Sequence, residues 1–162
     1  MTVRTPSFYN LAWRWHFLAG LFVIPFMLML ALTGIVYLFK PQLDQLMYPE
    51  LLNVQPGAAV LSADDQLQRL QQAYPQAQVS QYLPAPAADR SAQFVATLDG
   101  RKLNLFVDPY SGAVLGTQDA QDNLQAIARA LHGELLIGTV GDRLIELAAG
   151  WGVVLVVSGL YL

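Results

Sequence analysis

Hydrophobic and polar positions divide this chain into stretches of different periodicity. Across positions 17–39 no side chain carries a charge. At 1.5 Å per residue a helix over that run reaches roughly 35 Å, enough to cross a hydrocarbon core. From about 60 to 118 the pattern shortens and begins to alternate. Ser62 and Asp65 have the spacing of a capping box, and Leu67, Leu70, Ala73 and Tyr74 recur at helical intervals until Pro75, which predicts one amphipathic helix. Gln78–Leu83, Ala92–Leu98 and 102–107 read as strands, the last two joined by Asp99-Gly100, a dipeptide suited to a tight hairpin. Asp108-Pro109-Tyr110-Ser111-Gly112 predicts a turn, followed by a short strand at 113–116, and 84–88 predicts a loop. Further on, Leu124, Ile127, Ala128, Leu131 and Leu135 mark one side of a helix within 120–137, punctuated by Gly138 and Gly141. A final helix from about Asp142 becomes wholly apolar after Glu146.

The predicted fold class is a membrane α-helical protein with an inserted small α+β domain. Its segments are an N-terminus at 1–16, a first transmembrane helix at 17–39, the α+β domain at 40–118, an amphipathic helix and turn at 119–141, and a second transmembrane helix beginning at 142–162. A span needs roughly 20 apolar residues, and the run 147–162 is shorter, so the second span reads as truncated. Downstream transmembrane helices are then expected partners. Tyr9, Trp13 and Trp15 at the entry of the first span and Tyr37 near its exit resemble aromatic belts. Gly20, Pro25 and Gly34 inside it point to close helical neighbours.

Composition supports the membrane reading: 54% of residues are hydrophobic and 13% charged. With no cysteine, disulfides, thiolate metal sites and Cys nucleophiles are excluded. A net charge of −3 without a Lys/Arg cluster argues against nucleic acid as a partner. The first apolar run is too long for a signal-peptide core, and Lys40-Pro41-Gln42-Leu43-Asp44 offers no small-residue cleavage site. Residues 1–16 carry Arg4 and Arg14 without an acid, whereas 41–140 carry five basic and ten acidic residues. This asymmetry predicts a cytoplasmic N-terminus and a translocated α+β domain.

Two histidines are the candidate chemistry. His16 sits immediately before the charge-free run, sharing a helical face with Ala12, Ala19, Gly20 and Val23. These small residues would leave room for a flat macrocycle beside an axial imidazole. An interfacial histidine bonded to lipid headgroups or to a neighbouring helix is the alternative. His132 lies at an apolar face with Ala128, Leu135 and Leu136, where either iron or a backbone carbonyl could satisfy its ring. Arg129 could meet a haem propionate or simply face solvent. The two histidines are expected about 30 Å apart, at opposite membrane faces, so they cannot share one iron. Arg143 and Glu146 suggest an ion pair or interfacial snorkelling, and Asp108 is expected to be structural.

Several segments together resemble a known family. Arg14-Trp15-His16-Phe17 leading to Gly20-Leu21-Phe22, then Leu32-Thr33-Gly34 and Tyr37-Leu38-Phe39-Lys40-Pro41, is similar to the PepSY-associated transmembrane helix family. The run 107–116 resembles the PepSY domain's strand–turn–strand signature. Leu131-His132 with Leu135, Leu136 and Gly138, then Glu146-Leu147-Ala148-Ala149 and Ser158-Gly159-Leu160-Tyr161-Leu162, resembles the family's second span. The resemblance implies a multi-pass protein of the bacterial inner membrane with a periplasmic PepSY domain. It implies axial ligation of haem iron by His16 and His132, giving two b-haem sites that are each incomplete in this chain. It also implies electron transfer across the membrane to a ferric siderophore during iron uptake. Two other readings are an anchored binding module that regulates a periplasmic peptidase, and a non-redox structural subunit of an iron-uptake system.

Overall fold

The computed structural model describes residues 8–162, so Arg4, one of the two basic residues of the expected cytoplasmic N-terminus, lies outside the described residues. In chain order the elements are α1 (Phe8–Leu38), α2 (Lys40–Met47), α3 (Pro49–Leu52), α4 (Ala63–Ala73), β1 (Gln78–Leu83), β2 (Ala92–Leu98), β3 (Arg101–Val107), β4 (Val114–Asp119), α5 (Leu124–Glu134) and α6 (Thr139–Tyr161). They form two compact units. One combines the described residues up to Leu38 with Ile127–Leu162, and the other is Phe39–Ala126.

In the first unit, α1 and α6 are 31 and 23 residues long, and both are long and apolar enough to cross a membrane. Each begins earlier than its apolar run: Arg14 lies inside α1, and Asp142, Arg143 and Glu146 lie inside α6. At 1.5 Å per residue α6 reaches about 34 Å, more than the 16-residue apolar count suggested. The two helices pack antiparallel, with the Phe8 ring edge-on to Tyr161 at 5.5 Å and a methyl group built on Gly20 lying 3.9 Å from Leu155 Cδ2. Ala19, Val23, Gly141 and Ala148 are buried in this unit. In lipid there is little hydrophobic drive between two apolar helices, so small residues that admit close backbone approach do much of the packing.

The second unit is a four-stranded antiparallel meander in the order β1-β2-β3-β4, with α4 packed on it. Leu70 of α4 joins Ala77, Phe94, Ala96, Leu105 and Val107 in a buried cluster, flanked by Leu67, Tyr74 and Val79. Alternation sends Phe94 and Ala96 of β2, and Leu105 and Val107 of β3, to the same face. Ser62 caps α4 as its spacing predicts, accepting the Asp65 backbone N–H at 3.1 Å. Asp99 and Gly100 have φ of 50° and 76°, the paired left-handed conformation of a two-residue hairpin, and Leu98 pairs with Arg101 across it. Asp108 is structural, accepting from the Tyr110 backbone N–H at 2.9 Å and from the Ser111 hydroxyl at 2.6 Å.

Two differences from the sequence pattern have local causes. β4 runs to Asp119 rather than stopping near 116, because Thr117, Gln118 and Asp119 pair with Leu105, Asn104 and Leu103. Polar side chains on an edge strand look like a loop, yet the ladder depends on backbone groups. The helices α2 and α3 begin with proline in the first turn, at Pro41 and Pro49, where the missing N–H costs nothing. Asp44 then ties the segment together, pairing with Lys40 and accepting from Gln125 Nε2 at 2.6 Å.

Phe94→Ala should destabilise the sheet unit by about 3–5 kcal/mol, as expected for an aromatic ring lost from a packed core. A denaturant titration followed by Tyr fluorescence reads this out, and a loss under about 1 kcal/mol would contradict the core assignment. Asp119 carries a pH prediction. The Gln121 backbone N–H, aided by Arg101 and the Asp122 N–H, holds its carboxyl below the ordinary value. A lowered folded value adds stability at pH above the unfolded value of about 3.9, and that stability is lost as pH falls through the folded value. Asp119→Asn should therefore be less stable than the parent at neutral pH, with the difference closing in acid.

Candidate functional site

The two histidines sit at opposite ends of the α1–α6 pair, and each is held by a hydroxyl from another helix. His16, half-buried on the third turn of α1, places Nδ1 2.8 Å from Oγ of Ser158, near the C-terminal end of α6. The Ser158 hydroxyl also lies 2.7 Å from the carbonyl of Val154 and 3.2 Å from that of Leu155. His132, near the end of α5, places Nδ1 2.7 Å from Oγ1 of Thr33. Thr33 is buried, with its hydroxyl 2.9 Å from the carbonyl of Met29 and 3.2 Å from that of Leu30. Each hydroxyl thus bonds back to the carbonyl four residues earlier, a habit of Ser and Thr in apolar helices. Thr33 lies about 25 Å along α1 from His16. Neither Nε2 makes a hydrogen bond among the described residues.

Glycine lies beside each ring. A methyl group built on Gly159 would approach His16 Cε1 to 3.3 Å, and one on Gly34 would approach His132 Cε1 to 4.0 Å. His132 also lines a cavity of about 290 Å³ with Thr33, Gly34, Tyr37, Ala128 and Arg129. Its walls are largely apolar, and Arg129 brings a cationic residue to its lining. At the other end, Ser158 lines a cavity of about 490 Å³ with Phe8, Ala12, Val154, Val157 and Tyr161 among others. Both volumes approach or fall within the range of small-molecule sites.

Three expectations for these residues change. The small residues on the face of His16 divide: Ala19 and Val23 are buried and Gly20 faces Leu155 of α6, so helix packing uses that part of the face, whereas Ala12 lines the cavity beside Ser158. Nor do Leu135 and Leu136 continue the helical face of His132. The helix α5 ends at Glu134, and both leucines adopt left-handed φ, 52° and 60°, in the turn to α6. His132 itself is exposed on the surface of α5 apart from its bond to Thr33. Arg143 and Glu146 do form an ion pair, at 2.6 Å, on α6.

Thr33 and Ser158 are the site residues that residue-type reasoning missed. Their signal was available in retrospect, as the few hydroxyls inside otherwise apolar runs. A third cavity, of about 250 Å³, lies within the sheet unit, where Leu83, Pro84, Pro86 and Phe106 wall the Arg90 side chain. Arg90 donates to Gln45 Oε1 and Asn53 Oδ1. Among the described residues, no three His, Asp or Glu side chains gather as a metal site of their own.

A family model described as the PepSY-associated TM region matches residues 13–162. No curated protein matches the chain.

The turn that delivers His132 depends on one glycine. A methyl group on Gly141, in the first turn of α6, would overlap the carbonyl oxygen of Glu134 at the end of α5. Gly141→Ala should therefore lower the thermal stability of the detergent-solubilised chain. Gly150→Ala, where nothing lies within 4 Å, should leave it unchanged or raise it by up to about 1 kcal/mol. Equal melting temperatures for the two variants would refute the close α5–α6 approach.

Proposed function

Because the chain belongs to the PepSY-associated TM family, we propose that it works as part of a membrane electron-transfer protein that holds two b-type haems, one at His16 and one at His132. The observation that carries this reading is the pair of imidazoles at opposite ends of two membrane-length helices. Each has Nδ1 engaged by a hydroxyl and Nε2 without a hydrogen-bond partner among the described residues. A separation of about 25 Å along α1 allows two sites and excludes a shared iron. Bound haem would supply one-electron chemistry, with a potential set by axial ligands, burial and nearby charge.

The residues present fit that role. A neutral imidazole on a rigid helix is a suitable axial ligand. The apolar cavity beside His132 would exclude water from a flat hydrophobic group, and Arg129 at its edge can pair with a carboxylate. Each histidine would supply one ligand to its iron. In this reading the N-terminus is cytoplasmic, the sheet unit is periplasmic, the membrane is the bacterial inner membrane, and the electrons pass outward to a ferric siderophore. The excess of acidic over basic residues across 41–140 supports that orientation.

A second reading, in which the sheet unit binds a periplasmic peptidase and the helices serve only as anchors, is favoured by one observation. The Arg90 cavity offers apolar walls with a cation, a chemistry suited to the end of a peptide chain.

The optical spectrum of the protein at its full natural length decides between them. Two haems per chain are expected, with His16→Ala and His132→Ala each losing one and the double variant losing both. Low-spin b-haem bands undiminished in both single variants would sink the ligand assignment. A colourless parent protein that retains a peptidase fragment would favour the binding module.

A further inference from the structure

We infer that Ser158 and Thr33 are positioning residues that fix the tautomers of His16 and His132, so that each ring carries its proton on Nδ1 and presents Nε2 as a bare nitrogen. The inference comes from counting protons at two hydroxyls. Oγ of Ser158 makes two close contacts, 2.8 Å to His16 Nδ1 and 2.7 Å to the carbonyl oxygen of Val154. Oγ1 of Thr33 repeats the arrangement, 2.7 Å to His132 Nδ1 and 2.9 Å to the carbonyl oxygen of Met29. A carbonyl only accepts, and a hydroxyl has one proton to give. If Nδ1 were bare as well, one of the two contacts would set lone pair against lone pair. Both are satisfied only when the hydroxyl donates to its own helix and the imidazole donates to the hydroxyl.

The consequence lies at the other nitrogen. A neutral imidazole protonated at Nδ1 has its lone pair on Nε2, the form that can bind a metal ion. Ligating histidines commonly donate their remaining N–H to a nearby acceptor, which orients the ring and raises its basicity. Here the acceptor is a hydroxyl that its own helix has already polarised. The two ends of the pair reach the same solution with different residues, Ser on α6 and Thr on α1, and from opposite partners: the histidine is on α1 in one case and on α5 in the other. What the bare Nε2 is for rests on the haem reading above, whereas the tautomer itself does not.

Nitrogen-15 NMR of the haem-free chain tests this directly. The chain has two histidines, so Ser158→Ala and Thr33→Val each perturb one ring and assign both. With the chain in nanodiscs, about two pH units above the ordinary imidazole value near 6.5, both rings are expected to show a protonated Nδ1 and a bare Nε2. Ser158→Ala should abolish that preference at His16 only, and Thr33→Val at His132 only, while Thr33→Ser should retain it. A parent protein with Nε2 protonated at either ring would overturn the inference, and so would a preference that survives Ser158→Ala and Thr33→Val. The parent spectrum decides the point by itself if a variant does not fold. In the protein at its full natural length, Thr33→Val should weaken haem binding about 10–100-fold, with Thr33→Ser close to the parent. A parent that shows both Nδ1 protons yet takes up no haem would overturn the haem reading and leave the tautomer assignment intact.

Discussion

A polar atom set among apolar helices has few partners nearby, so it must find one inside the protein. That requirement organises the helical unit. Thr33 and Ser158 satisfy their own hydroxyl protons on carbonyls four residues back, and His132 and His16 come to rest against the oxygens that remain. Contacts of 2.7 and 2.8 Å between helices are short, and they require the helices to run close. Ala19, Val23, Gly141 and Ala148, all buried, allow that approach. Ala19 and Val23, which looked like room for a cofactor, instead help to bring α6 up to α1, and space near His16 lies at Ala12, in the cavity that Ser158 also lines. Near His132, the open side is the cavity shared with Gly34, Tyr37 and Arg129.

The sheet unit is built by different rules. Its core gathers Leu70 from one helix with Phe94, Ala96, Leu105 and Val107 from two neighbouring strands, and each strand alternates in register with the pleat. Its charged groups lie at the surface, where Asp119 pairs with Arg101 and takes backbone N–H groups from the following turn. Asp44 joins α2 to the beginning of α5 through Lys40 and Gln125, so the segments that enter and leave the unit are held by one carboxylate. Each unit thus carries its own packing, and the chain passes between them near Phe39 and Ala126.

Most local elements were legible from the chain because their causes are local. Ser62 caps the helix that follows it, Asp99-Gly100 turns the hairpin that surrounds it, and Asp108 closes the loop it begins. Charge-free length announced the first membrane helix, and residue type alone singled out both histidines. The misreadings share one origin: a periodic face tells what a residue could touch, not what reaches it. Gly20 read as vacant because nothing nearby in sequence names Leu155 as its neighbour. Leu135 and Leu136 read as helical because their pattern continues past Glu134, where the backbone instead turns into the left-handed region.

The amino-acid order is sufficient for the first membrane-length apolar run, the strands with the hairpin at Asp99-Gly100, the family and the two histidines at opposite ends, since each of these follows from composition, short-range spacing or helix rise. The partners of those histidines belong to the folded state. Ser158 is 142 positions from His16, and Thr33 is 99 from His132. Only the antiparallel packing of α1 on α6, and the turn at Leu135 and Leu136 between α5 and α6, brings each hydroxyl to its ring. A hydrogen bond is decided over a few tenths of an ångström, a precision that periodicity along a chain does not carry and close-packed helices do.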